Sequence, residues 1–218
     1  MEIFSYVATA LAAYFLGSIP TGYLAGLCKR VDIRSVGSGN IGATNVFRTL
    51  GRAAGVAVLA IDAVKGYVAC KWVTYLAYEH LLPVAQRMAP AREGLMILTG
   101  LAAILGHNYT CWLKFKGGKG IATTAGVLLG LMPWALATIF SMWLLVTLAT
   151  RFVSLGSVAA AITLPFAAWG FYNSWNLSAV GTVMCLLALY KHRTNIQRLL
   201  NGTESRISLK KEPSAPNP

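Results

Sequence analysis

Acidic side chains are scarce in this sequence. Seven Asp and Glu stand against nineteen Lys and Arg, and charged residues of both signs fill only 12% of 218 positions. A soluble domain spends roughly 25% on charge, about twice as much. So little charge cannot cover a water-facing surface, but a bilayer requires none. Cysteine is sparse as well: Cys28, Cys70, Cys111 and Cys185 lie far apart, with no Cys-x-x-Cys and no Cys/His cluster. Free thiols are expected, with no metal site, no disulfide framework and no cofactor. A Walker A loop is missing too, because Gly120 stands where Gly-x-x-x-x-Gly-Lys demands Ser or Thr, which argues against NTP hydrolysis. No internal repeat is evident.

Apolar residues are abundant, at 56% of the chain. Clear apolar runs cover residues 3–27, 53–78, 155–172 and 177–190. Each reaches or approaches the length needed to cross about 30 Å of hydrocarbon at about 1.5 Å per residue. Residues 93–106 form a shorter run. The stretch 121–150 is too long for one ordinary crossing and carries Pro133 near its middle, beside Trp134, as a tight turn would. Splitting it there predicts seven crossings rather than six.

Charge chooses between the two counts. With seven crossings and the N-terminus outside, segments 28–52, 107–120, 151–154 and 191–218 are cytoplasmic and hold fifteen of the nineteen basic residues. Only Arg87 and Arg92 fall outside. Six crossings would strand the basic tail on the wrong side, against the positive-inside rule. The first run lacks a basic leader and is followed by Lys29-Arg30, so it reads as a retained helix rather than a signal peptide. The formal charge of +12 could attract nucleic acid or anionic lipid. Its scatter through short gaps between apolar runs favours membrane lipid as the partner and excludes nucleic acid. The expectation is one all-α membrane domain over residues 1–207, with a disordered polar tail over 208–218.

Three polar stretches carry candidate chemistry. The first holds Gly37, Ser38, Gly39, Asn40, Gly42, Asn45 and Arg48. Glycines let backbone N–H groups converge on an anion, Ser and Asn add donors, and Arg48 can fork onto a phosphate. An ordinary membrane loop has a similar composition, and both readings stay open. The second runs from Gly106-His107-Asn108-Tyr109 to Gly117-Gly118-Lys119-Gly120, where a helix N-terminus next to glycines would suit phosphate. His107 alone reads as a hydrogen-bonded interface residue. The third sets His192, Asn195 and Arg198 at three-residue intervals on one helical stripe, ahead of Glu204. A juxtamembrane amphipathic helix would look the same. Inside the second apolar run, Asp62 and Lys65 are spaced for an internal ion pair.

Read in order, these stretches resemble the bacterial acyl-phosphate:glycerol-3-phosphate acyltransferase family. The likeness rests on Gly-Ser-Ile-Pro-Thr-Gly from Gly17, Gly-Ser-Gly-Asn-Ile-Gly-Ala-Thr-Asn-Val-Phe-Arg ending at Arg48, and Asp-Ala-Val-Lys-Gly from Asp62. It continues through Gly-His-Asn-Tyr, Phe-Lys-Gly-Gly-Lys-Gly, Arg-Phe-Val-Ser-Leu-Gly-Ser ending at Ser157, and His-Arg-x-Asn-Ile-x-Arg-Leu-Leu-x-Gly-x-Glu ending at Glu204. The resemblance implies a seven-crossing enzyme of the bacterial inner membrane with its active site facing the cytoplasm. It would move a fatty acyl group from acyl phosphate to glycerol 3-phosphate, and an acyl-phosphate-producing enzyme would be its supplier. The same resemblance assigns Arg48, Lys119 and His192 to catalysis, and Ser38, Asn40, Asn45, Asn195 and Glu204 to substrate binding. Gly37, Gly39, Gly117, Gly118, Gly120 and Ser157 would shape the acyl-phosphate loop, where a methyl on Gly118 would crowd the phosphoryl oxygens. The His-x-x-x-x-Asp pair of acyl-CoA acyltransferases is absent: Ala85, Trp112 and Gln197 lie five residues beyond the three histidines. The competing class is a small transporter of phosphate or organophosphate. It would need polar groups at mid-membrane and favours inverted repeats, whereas the donors here crowd one face.

Overall fold

The computed structural model describes residues 2–83 and 87–207, and the tail at 208–218 lies outside them. Every regular element among the described residues is helical. The chain divides into two compact units, Met1–Leu136 and Ala137–Pro218.

The first unit opens with α1 (Glu2–Ser18) and α2 (Thr21–Cys28). The run expected to be one continuous helix is broken at Ile19-Pro20. Proline supplies no N–H and its ring crowds the preceding turn. The break leaves carbonyls that a buried setting must satisfy. Lys65 Nζ donates to Ile19 O at 2.9 Å, and Thr110 Oγ1 donates to Ser18 O at 2.6 Å. A loop then leads to α3 (Ala43–Leu50) and α4 (Arg52–Val68), which continues through a π turn at Ala69–Val73 into α5 (Thr74–His80). Next come α6 (Ala89–Asn108), longer than the apolar run suggested, and a 3₁₀ turn at Cys111–Leu113. After a glycine-rich loop follows α7 (Ile121–Leu131). The long run does break at Met132-Pro133, where α8 (Pro133–Thr150) begins.

The remainder of α8 belongs to the second unit, with α9 (Val153–Tyr172), α10 (Trp175–Lys191) and the short α11 (Arg193–Leu200). Ser174 caps α10, its hydroxyl accepting from Leu177 N at 3.3 Å.

Large apolar side chains face outward. Phe4, Phe166 and Leu145 are 77%, 72% and 68% exposed, a pattern water would penalise and lipid accepts. Small residues recur among the buried ones, Ala13, Ala69 and Ala103 in the first unit and Ala160 and Ala168 in the second. Glycines bring backbones together, as lipid-embedded helices require. A Cβ on Gly17 would collide with Ala103, joining α1 to α6. One on Gly126 would strike Ala63, joining α4 to α7. Among the described residues, five helical stretches are long and apolar enough to cross a membrane, and α7 is a shorter apolar helix.

Candidate active site

The first polar loop is braced by Asn45 from α3. Asn45 is buried, and both of its amide hydrogens go to loop backbone, to Ile33 O and Val36 O at 3.1 Å each. Its Oδ1 accepts from Ser38 N at 2.8 Å. Gly37 and Gly39 have φ of +60° and +68°, a region costly for other residues. A Cβ on Gly37 would also run into Asn45 Oδ1. Asn40 turns the end of the loop into α3 by accepting from Gly42 N at 2.8 Å. Asn40 and Asn45, expected to touch substrate, thus fix the loop that presents Ser38.

Arg34 in the same loop forks onto Asp32 at 2.7–3.2 Å. Its guanidinium brings the Asp32 carboxyl down to about 2. Arg48 is the guanidinium carried on α3, exposed in its last turn. Ile33, Ile41, Val46 and Val58 form an apolar cluster beneath the loop, and Leu113 completes it. Leu113 closes the 3₁₀ turn that precedes the second loop. Both polar loops of the first unit therefore stand on one apolar base.

That second loop lies on the end of α6. Gly117 N donates to Asn108 O at 3.2 Å and Gly118 N to His107 O at 3.0 Å. Gly120, at φ +78°, caps α7 and leaves no room for a Cβ beside Asn108. Lys119 sits between them, half-buried, one residue from the α7 cap. A methyl on Gly118, expected to crowd phosphoryl oxygens, would meet His107 Nε2. Gly118 is glycine because the His107 ring lies directly against it.

The ring belongs to a buried ionic chain. Lys65 Nζ lies 2.8 Å from Asp62 Oδ1 and 3.0 Å from His107 Nδ1. Thr21 Oγ1 donates to Asp62 Oδ1 at 2.5 Å. The predicted Asp62–Lys65 pair forms, and it reaches further than the spacing suggested.

In the second unit, Glu204 is the hub. Its Oε1 accepts from Ser154 Oγ and Asn195 Nδ2, both at 2.7 Å, and its Oε2 accepts from Arg198 Nε at 2.7 Å. Partial burial pushes this carboxyl up, but the bonds from Arg198, Ser154 and Asn195 outweigh it and hold the group below its ordinary 4.5. A depressed folded value means stability that is present above pH 4.5 and lost as pH falls through the lower folded value. Acidification in detergent is therefore expected to lower the melting temperature, with part of that acid slope missing in Glu204→Gln. An unchanged slope in the variant would contradict this.

His192 is buried between α10 and α11, and its Nδ1 lies 2.8 Å from Ala188 O. A carbonyl only accepts, so Nδ1 carries the hydrogen and the neutral ring keeps its lone pair on Nε2. Ser157 departs from its expected place in a loop. It lies within α9, and its hydroxyl donates to Val153 O at 3.0 Å, the common fate of a serine inside a helix.

The sequence model of the family described as glycerol-3-phosphate acyltransferase matches residues 7–202. This chain belongs to that family. A glycerol-3-phosphate acyltransferase from Desulforudis audaxviator is 48% identical over 200 residues, covering 91% of this chain and 94% of the relative. One from Geobacter sulfurreducens is 42% identical over 201 residues, covering 92% and 96%. The crystal structure of PlsY, an integral membrane glycerol 3-phosphate acyltransferase, matches in its glycerol 3-phosphate form with a TM-score of 0.81 and 38% identity. That match covers 94% of this chain and 96% of the PlsY chain. Its lysophosphatidic acid form matches with a TM-score of 0.79 and 36% identity over the same shares. The acyltransferase fold therefore extends over nearly all of the chain.

Sequence reasoning passed over Thr21, the Ile19 carbonyl and Ser154 as partners of site residues. The Pro20 break was a usable signal for Ile19, since a broken membrane helix must pass its carbonyls to another donor.

Proposed function

We propose that this protein transfers a fatty acyl group from acyl phosphate to the hydroxyl of glycerol 3-phosphate, releasing inorganic phosphate. The product is 1-acyl-glycerol 3-phosphate (lysophosphatidic acid). The observation that carries this reading is the pair of braced, glycine-rich loops of the first unit on one apolar base. One offers Ser38 and Arg48, and the other offers Lys119 beside the N-terminus of an apolar helix. Both substrates present phosphate, and one brings a chain that only an apolar surface can hold.

The hydroxyl oxygen attacks the acyl carbonyl carbon and forms the ester bond. The bond from that carbon to the phosphate oxygen breaks, and phosphate leaves with the electron pair. The hydroxyl proton goes to the departing phosphate. An acyl phosphate is already activated, so positioning and charge stabilisation supply most of what the reaction needs. Arg48 forks onto the glycerol 3-phosphate phosphate, with Ser38 adding a donor. Lys119 and the α7 N-terminus meet the phosphoryl group of the donor. Gly37, Gly39, Gly117 and Gly120 keep the loops in shape, and Asn195 and Glu204 hold the tail motif beside His192. The carbonyl carbon, with no covalent nucleophile required of the protein, passes from one oxygen to the other in a single displacement.

Purified protein in detergent should release phosphate from palmitoyl phosphate only when glycerol 3-phosphate is supplied. Palmitoyl-CoA should not replace the donor, and a chelator should not slow the reaction. Turnover with palmitoyl-CoA, or activity lost to chelation and restored by magnesium or zinc, would overturn the proposal.

We further propose that residues 1–207 act as one domain of the bacterial inner membrane with seven crossings: α1–α2, α4–α5, α6, α7, α8, α9 and α10. The N-terminus is outside and the polar loops face the cytoplasm, where an acyl-phosphate-producing enzyme supplies the donor. The charge asymmetry of the loops supports this orientation. A reporter fused after Ser208 should be active only in its cytoplasmic form, and activity confined to the outside would refute it.

A further inference from the structure

We infer that Asp62, Lys65 and His107 form a positioning chain that sets the height of loop 117–119 and so the reach of Lys119. The inference rests on reading Lys119 as a phosphate ligand.

Each link is on the buried face of a helix. Asp62, Lys65 and His107 are 1%, 4% and 5% exposed. A lysine ammonium has three hydrogens, and here each has a defined acceptor. They go to Asp62 Oδ1 at 2.8 Å, Ile19 O at 2.9 Å and His107 Nδ1 at 3.0 Å. The three acceptors come from α4, from the α1–α2 break and from α6, so the ammonium is held in place by three separate segments. An ammonium has no lone pair, so His107 Nδ1 accepts from charged Lys65, and the same nitrogen lies 3.5 Å from Asp62 Oδ1. These contacts fix the tilt of the ring. The Nε2 edge is the part of the ring that lies against Gly118.

The loop is thus held on two sides. Backbone bonds from Gly117 and Gly118 to the last turn of α6 pull it down. The imidazole, fixed by Lys65, stops its descent. An ionic group inside an apolar helix pair is costly to keep. Asp62, Lys65 and His107 lie below the loop rather than in it, so their chemistry reaches the substrate through Lys119. They are positioning residues, and a displacement of about 1 Å at a phosphate ligand is enough to slow turnover substantially.

His107→Asn is the discriminating variant. The asparagine oxygen falls near the position of Nδ1 and still accepts from Lys65, while the ring edge under Gly118 is gone. In detergent its melting temperature should stay near that of the parent. KM for palmitoyl phosphate should rise about ten-fold, while KM for glycerol 3-phosphate and kcat change by less than about three-fold. In a Lys119→Ala background, His107→Asn should cost less than about two-fold more, because its effect passes through Lys119.

A folded His107→Asn with parental KM for palmitoyl phosphate would overturn the inference. So would a full additional loss in the Lys119→Ala background. If His107→Asn does not insert, Gly118→Ala pushes the loop off the same ring and is put through the same cycle, with the same two results deciding. Lys119→Ala by itself separates the two claims. Parental activity there refutes the phosphate-ligand reading, whereas an impaired Lys119→Ala beside a parental His107→Asn refutes only the positioning chain.

Discussion

Arg48→Ala is expected to lower kcat/KM for glycerol 3-phosphate by on the order of 10–100-fold. A charge-assisted hydrogen bond in a site partly shielded from water contributes about 1.5–3 kcal/mol, and each 1.4 kcal/mol is about a factor of ten. Asn45 and Asn40 brace the loop through their own hydrogen bonds, and insertion of the variant is measured beside its kinetics. Arg48→Lys should recover little, since a point charge replaces a planar fork. Lys119→Ala is expected to lose as much, but against acyl phosphate. Steady-state kinetics with each substrate varied in turn separates the two residues. Near-parental activity in both variants, with insertion confirmed, would reduce the loops to a basic cytoplasmic rim.

The second large effect is on stability. Lys65→Met removes the ammonium that neutralises Asp62, whose carboxylate is almost wholly buried. Breaking a buried ion pair from one side costs about 3–5 kcal/mol, because the remaining charge is left uncompensated. Against a typical total of about 5–15 kcal/mol, that is a large share. The Ile19 carbonyl at the Pro20 break loses one of its two donors in the same variant and keeps Thr21 N. Thermal unfolding in detergent should show a large drop for Lys65→Met. Asp62→Asn/Lys65→Met should regain part of it, since no unpaired charge remains. Parental melting in Lys65→Met would show that the pair carries no such weight.

Some of the site was legible residue by residue. Asp62 and Lys65 three apart inside an apolar run announced an ion pair, because lipid leaves a charge few other solutions. Pro133 announced a break in the long apolar run, where α8 begins, whereas Pro165 lies inside α9 without ending it. Gly120 before an apolar run announced a helix start. Gly118 was misread in its mechanism. In sequence, a glycine beside a lysine looks like room for a ligand, and nothing local reveals that a histidine ring fills that room. Ser157, expected in a loop, lies in α9 with its hydroxyl on the Val153 carbonyl, a placement that nothing local in the chain marks.

Class, polar segments and family were all readable along the chain. Shortage of charge, the length of apolar runs and the placement of Lys and Arg are properties a bilayer reads one segment at a time. Which donors meet which acceptors became visible in the folded helices alone. Lys65 finds the Ile19 carbonyl 46 residues away, and Thr110 finds Ser18 O across 92. Such pairings depend on how helices lie against one another. Glycine contacts of backbone on backbone set that arrangement, and they leave no periodic mark in the chain.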